Sequence, residues 1–176
     1  MIMLREISRE DILAINRWRG DPVVSDGVGG PRRFIGLAVD LKWYDDYLAR
    51  RGSEVRCAVC LTDSAELVGM VSLTRIDYVH RHAEFHIIIG ERASQNRGLG
   101  TAAARAMVRH GFHDLNLHRI YVEILQSNIS SIRMCEKTGF RREGIIREGA
   151  YKNGRYHDLL LMGLLKSELP EDEGDR

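Results

Sequence analysis

No stretch of this sequence approaches the eighteen consecutive apolar residues that a membrane-crossing helix needs. The first residues, MIMLREISRED, carry charges where a secretion signal requires an apolar run. Net charge is almost absent: 26 basic against 25 acidic side chains leave a formal +1. No global field therefore draws the chain to nucleic acid or to an anionic membrane, and any anion site must be local. Cysteine is scarce, three in the chain, and an odd, scattered count is no disulfide framework. Together these absences point to a cytoplasmic protein. Two of the cysteines form Cys57-x-x-Cys60, but the surrounding EVRCAVCL reads as a strand. Residues three apart on a strand face opposite ways, so the pair is expected to fill two separate packing sites. Repeats, linkers and low-complexity tracts are missing as well. One domain over residues 1–169 is expected, with an acidic tail, 170–176, too poor in apolar residues to order.

What is present is an alternation of periodic segments. IMLREI is a short strand, and SREDILAINRWRG is a helix that Ser8 caps and Gly20 stops. DPVVSDGVGGPRR reads as a long Gly/Pro-rich loop. VDLKWYDDYLARRG is a second helix. EVRCAVCL, ELVGMVSLTRI and AEFHIII form a strand meander. In LGTAAARAMVRHGFHDL, Ala104, Met107, Val108, Gly111 and Leu115 share one helical face, and Arg105 and Arg109 lie on another. RIYVEIL is a strand, NISSIRMCEKTG a short helix ended by Gly139, and residues 140–165 a long hairpin turning at Asn153-Gly154, a type I′ signal. The order predicts an α+β layout, a mixed sheet with helices over it.

The segment SQNRGLGTAAARAM, 94–107, is the sharpest local feature. Glycines just before a helix let a phosphate approach its unpaired N–H groups. A Walker loop would need Lys-Ser/Thr after the second glycine, and Thr101-Ala102 stands there. A dinucleotide fingerprint can be spelled from Gly98, Gly100 and Ala103, with Glu123 about twenty residues on. That motif, however, opens directly after a first parallel strand, and here a meander precedes it and eight residues separate Ile89 from Gly98. Gln95-Asn96-Arg97-Gly98-Leu99-Gly100 instead resembles the Q/R-x-x-G-x-G/A pyrophosphate loop of the GNAT acetyltransferases.

Other segments carry the same resemblance. NISSIRMCEKTGFRREG is similar to the second GNAT signature. WRGDPVV and REGAYKNGRYHDLLLMGLL resemble the marks of the branch that acetylates ribosomal-protein N-termini and polyamines. IDYVHRHAEFHIII resembles the bacterial spermidine/spermine acetyltransferases. The resemblance implies about seven strands, mostly antiparallel, splayed in the middle, with acetyl-CoA as co-substrate in the splay and an amine as acceptor. It implies a cofactor cradle from Gln95, Asn96, Arg97, Gly98, Leu99, Gly100 and Thr101, and main-chain pairing along Ile87, Ile88 and Ile89. Homo-oligomers occur among such relatives.

The chemistry requires an amine that loses a proton, an oxyanion donor and an acid for the thiolate. Glu84 shares a strand face with His82, His86 and Ile88 and is the candidate base; pairing with a basic neighbour such as Arg81 is its structural alternative. The His-Glu-His spacing could also hold a metal, but nothing else supplies ligands and none is expected. Asn128, Ser131 and Cys135 lie on one helical stripe and are expected toward the thiol end of the co-substrate. Many family members have tyrosine where Cys135 stands, so Cys135, water, or Tyr151 or Tyr156 is left to act as acid. The first candidate acceptor is a polyamine of the spermidine/spermine kind; a protein N-terminus such as that of a ribosomal protein, an amino sugar and an amino acid are the alternatives. A non-catalytic acyl-CoA-binding module is the alternative of another class. A loop bearing Arg32 and Arg33 argues against the Glu-rich allosteric polyamine site of the spermidine enzymes.

Overall fold

The computed structural model describes residues 1–30 and 33–169. Both the expected acidic tail and Arg32 lie outside them. Strand β1 (Ile2–Glu6) leads through a 3-10 turn, Arg9–Asp11, into α1 (Ile12–Gly20). Ser8 is the N-cap of this 3-10 turn, as expected, and Asp11 completes a capping box: its carboxylate accepts from the Ser8 N–H at 2.7 Å and from Arg5 Nη1 and Nη2 at 2.7 Å. The expected long loop is partly helical, since α2 (Pro22–Asp26) follows α1 directly. Asp21 caps it by accepting from the Val23 N–H at 2.9 Å, and Pro22 sits at the first helical position, where its missing N–H costs nothing. The pair Asp-Pro was a helix-start signal as much as a loop signal.

Next come α3 (Leu37–Ala49), β2 (Val55–Leu61), β3 (Leu67–Asp77), β4 (His82–Ile89), α4 (Leu99–His113), β5 (Arg119–Leu125), α5 (Ile129–Thr138), β6 (Arg141–Lys152) and β7 (Arg155–Leu165). The seven strands form one sheet in the order β1-β2-β3-β4-β5-β7-β6. All neighbours are antiparallel except β4 and β5. The last hairpin turns at Asn153 and Gly154 with φ of 50° and 78°, as a type I′ turn requires.

One face of the sheet packs on α4 and α5. Phe85, Leu73, Met107, Phe112, Ile120 and Leu164 form that core. The buried positions of α4 include Ala104, Met107, Val108 and Gly111, as periodicity predicts. The other face, toward the β1 edge, carries α1 and α3 through Ile12, Ile15, Trp18 and Tyr47. Cys57 packs with the first core and Cys60 with the second, so the two thiols do stand on opposite faces. Among the described residues no helix is long and apolar enough to cross a membrane.

Candidate active site

The site begins with a pairing failure. β4 meets β5 over three residues only, His82–Glu84 against Arg119–Tyr121, and then the strands part. On its other side β4 stays paired with β3 out to Ile89. The Gly90 N–H donates to the Val68 carbonyl at 2.9 Å, which fixes the alternation of the ladder. Ile88 therefore directs its main chain at β3, where its carbonyl abuts Gly69. Phe85, Ile87 and Ile89 direct theirs into the splay. Of the three isoleucines expected to hold a guest by main chain, the backbone offers Ile87 and Ile89, while Ile88 lines the opening with its side chain.

The Ile89 carbonyl accepts from Gln95 Nε2 at 2.9 Å, tying the glycine turn to the strand end. The turn itself bends through Asn96 at φ 58° and Gly98 at φ 80°. Gly98 is the N-cap of α4, and its carbonyl accepts the first helical bond from the Ala102 N–H. The N–H groups of Leu99, Gly100 and Thr101 are thus the unpaired donors of a helix start. Nothing lies within 4 Å of a side-chain carbon built at Gly98, and at Gly100 only Ile89 and Met134 come as close as 3.7 and 3.9 Å. The turn is open toward a cleft of about 450 Å³. Ile87, Ile88, Ile89, Gln95, Asn96, Gly98, Gly100, Thr101, Asn128 and Ser131 all line it. Arg97 is exposed and outside the lining, and the Leu99 side chain turns back onto the core. Sequence reading missed two contributors: the α2 segment (Val24, Gly27, Val28) and the basic pair Arg133 and Lys137 on α5. Their i, i+4 spacing was the available signal.

Asn128 caps α5. Its side-chain carbonyl accepts from the Ser131 N–H at 3.1 Å and from Ser130 Oγ at 2.9 Å, while Nδ2 donates to the Gly27 carbonyl at 2.8 Å. One side chain thereby starts a helix and pins the α2 segment over the cleft. Cys135, two turns on, has no exposed surface and belongs to the α4/α5 core, lining neither cavity. Burial pushes its thiol up to about 12.

A second cavity, about 720 Å³, opens on the other face of the sheet. It shares Gly27, Val28, Ile87, Ile88, Asn128 and Ser131 with the cleft, so the two meet at the splay. Glu84 lines it, 8% exposed. Its carboxylate faces His86 Nε2 at 3.5 Å and Arg75 Nη1 at 3.3 Å, and His86 Nε2 also lies 3.0 Å from Thr74 Oγ1. The His86 contact, outweighing burial and aided by Arg75, holds the carboxyl below its usual range. The basic partner is therefore Arg75; Arg81 donates instead to Asn116. Ser72 Oγ also lines this cavity, fully buried and, among the described residues, with no hydrogen-bond partner. The guanidinium groups of Arg19 and Arg56 both lie over the Trp43 ring, at 4.5 and 4.9 Å from its centroid. His82 is outside the cavity lining, stacked on His80 and edge-on to Tyr121. Tyr151 and Tyr156 are exposed and pack on each other at the hairpin end, away from both cavities.

A parted sheet with a helix start aimed into it defines an acyl-carrier cleft, and known proteins agree. Residues 2–141 match the model of the acetyltransferase (GNAT) domain, and the chain belongs to this family. It is 36% identical over 95% of its length to the spermidine N(1)-acetyltransferase of Escherichia coli K12, covering 87% of that protein. It is 37% identical to the spermidine N(1)-acetyltransferase of Vibrio cholerae, over 58% of each chain. The putative ribosomal N-acetyltransferase YdaF of Bacillus subtilis is 36% identical over 72% of this chain and 66% of its own. Among solved structures, the Vibrio cholerae spermidine N-acetyltransferase in complex with CoA and spermine superposes with a TM-score of 0.88, at 28% identity over 95% of this chain and 96% of that one.

Proposed function

We propose that this chain is an acetyl-CoA-dependent N-acetyltransferase of the cytoplasm that acts on the primary amine of a small molecule, a polyamine first. The observation that carries this is the junction of two cavities at the splay, one with an open helix start for a phosphate-bearing arm and one with the buried Glu84 carboxylate in its wall. The cleft fits the co-substrate. The N–H groups of Leu99, Gly100 and Thr101 receive the pyrophosphate, with Arg133 and Lys137 supplying local positive charge in a chain that has little overall. The main-chain edges of Ile87 and Ile89 take the extended arm as a further strand would be taken, and one of their N–H groups faces the developing oxyanion.

The co-substrate supplies the activated acyl group. Glu84 receives the acceptor's ammonium. Held ionised by His86 and Arg75, it is a weak base at neutral pH, so its work is to bind the cation and orient water through which the proton leaves. Cys135 takes no part: an uncharged thiol sealed in the core reaches neither cavity. With Tyr151 and Tyr156 also distant, the departing thiolate is protonated by water. Self-association fits the same reading, since strand β6 is an edge with Ile145 and Ile146 exposed. Free-thiol release from acetyl-CoA over a panel of polyamines, amino acids, amino sugars and peptides tests the proposal. Turnover with polyamines is the expected result. Turnover confined to peptides would move the acceptor to protein N-termini, and binding of acetyl-CoA without any turnover would overturn the enzymatic reading.

A further inference from the structure

Arg75 stands where strand alternation would not put it. Leu73 and Ile76 both enter the core on the α4 face, three positions apart, and the β3–β4 register shifts between Thr74 and Asp77. Arg75 has φ 51°, a left-handed backbone that arginine rarely adopts. This bulge re-aims its side chain: Thr74 and Arg75 both end on the cavity face, Thr74 at His86 and Arg75 at Glu84. The ion pair does little for stability. It is a single contact of 3.3 Å from a side chain 74% exposed.

The charge around the cavity shows what the contact does. Three guanidinium groups (Arg19, Arg56, Arg75) and three carboxylates (Glu54, Glu84, Glu123) line it. Arg19 is neutralised from behind by buried Asp40, and Arg56 by Glu54. Arg75 sits on Glu84, within electrostatic reach of Tyr121 and Glu123. Glu123, on the facing edge of the splay, is the lining carboxylate that makes no ion-pair contact among the described residues, Arg75 acting on it only at longer range. With the outer partners counted, Asp40 on Arg19 and Arg50 on Glu54, the set carries four positive and four negative charges; without Arg75 it carries three and four.

We propose that Arg75 is a specificity-determining residue, a built-in cation that occupies the ammonium-binding side of Glu84 and restrains the cavity toward acceptors of low total charge. The inference rests on the amine-acceptor reading of this cavity. An ammonium approaching Glu84 displaces or shares the guanidinium, and each further charge on the acceptor meets its repulsion. Diamines are therefore favoured over spermine, and loss of Arg75 reverses the order.

The test uses the full chain as Arg75→Gln and Arg75→Lys, with putrescine, spermidine and spermine as probes, by calorimetric titration in the presence of CoA and by initial rates. Arg75→Gln is expected to tighten spermine binding on the order of tenfold at low salt and putrescine binding less, with the gain shrinking as salt rises. Arg75→Lys, which retains the positive charge, is expected to gain much less spermine affinity than Arg75→Gln, and acetyl-CoA affinity is the same in all three. Equal or weaker spermine binding by Arg75→Gln, or identical behaviour of the Gln and Lys variants, would overturn the proposal. The two readings fail separately. A gain in spermine affinity without turnover of any amine upholds Arg75 and removes the catalytic assignment, whereas polyamine turnover with no gain in Arg75→Gln does the reverse.

Discussion

Two residues singled out for chemistry separate once their surroundings are known. Glu84 is buried beside a histidine and an arginine, so it stays ionised at lower pH than a free glutamate. Its depressed value places the acid limb of kcat/KM below the ordinary glutamate value of 4.5. Glu84→Gln is expected to lower turnover on the order of 100-fold while leaving the KM for acetyl-CoA unchanged, because the two cavities meet without sharing this side chain. Steady-state kinetics from pH 4 to 9 check both. Cys135 is the opposite case. Cys135→Ala should keep full turnover and cost about 1 kcal/mol of stability, the scale for deleting one small buried group; a loss of turnover at unchanged stability would restore it to the mechanism. The raised thiol also makes Cys135 inert to alkylation in the folded protein.

At the scale of elements, the glycine turn depends on two different properties. Gly98 is required by its backbone: a left-handed conformation costs an ordinary residue about 1–2 kcal/mol. Gly100 is required by space. A first carbon there fits, at 3.7 Å from Ile89, but a larger side chain stands where the guest must approach the helix start. Gly100→Val is expected to fold normally and to lose acetyl-CoA binding, which calorimetry beside circular dichroism would show. Gly90 has a third reason. A side chain there would run into the ring of Trp18, whose Nε1 donates to Glu91 at 2.9 Å. This contact seats α1 on the end of β4 and so positions the α2 segment that roofs both cavities. Lys152, nearly buried, adds to that seating by donating to the carbonyls of Ser25 and Val28.

For the whole molecule, several carboxylates are held below their usual range by guanidinium partners on other elements. Burial alone would raise Asp11, but Arg5 and the Ser8 N–H outweigh it. Arg119 holds Glu143 across Gly163, joining β5 to β6 over β7. A depressed carboxyl contributes stability that is complete above its unfolded value and lost as pH falls through the folded one. Stability is therefore expected to be level from pH 7 to about 5 and to decline below the unperturbed values near 4. Urea unfolding midpoints across that range are the check, and a midpoint that rises on acidification would contradict it.

The sequence by itself determined most of the elements, α2 excepted, and the glycine turn that opens on the cleft. Hydrophobic period set α4 and the strands, Asn153-Gly154 set the hairpin, and the glycines of the run from Gln95 to Thr101 set the turn before α4. These are local properties, fixed by backbone preference and by neighbours a few residues away. Only the tertiary structure decided the acceptor end. That Glu84 answers to Arg75 and not Arg81 depends on a one-residue bulge. That Ile87 and Ile89, but not Ile88, offer their main chain depends on ladder phase. That Cys135 is core and not site depends on which way α5 faces when it packs against α4. Each of these turns on the direction of a group in space, and direction is set by pairing partners that are far apart in the chain.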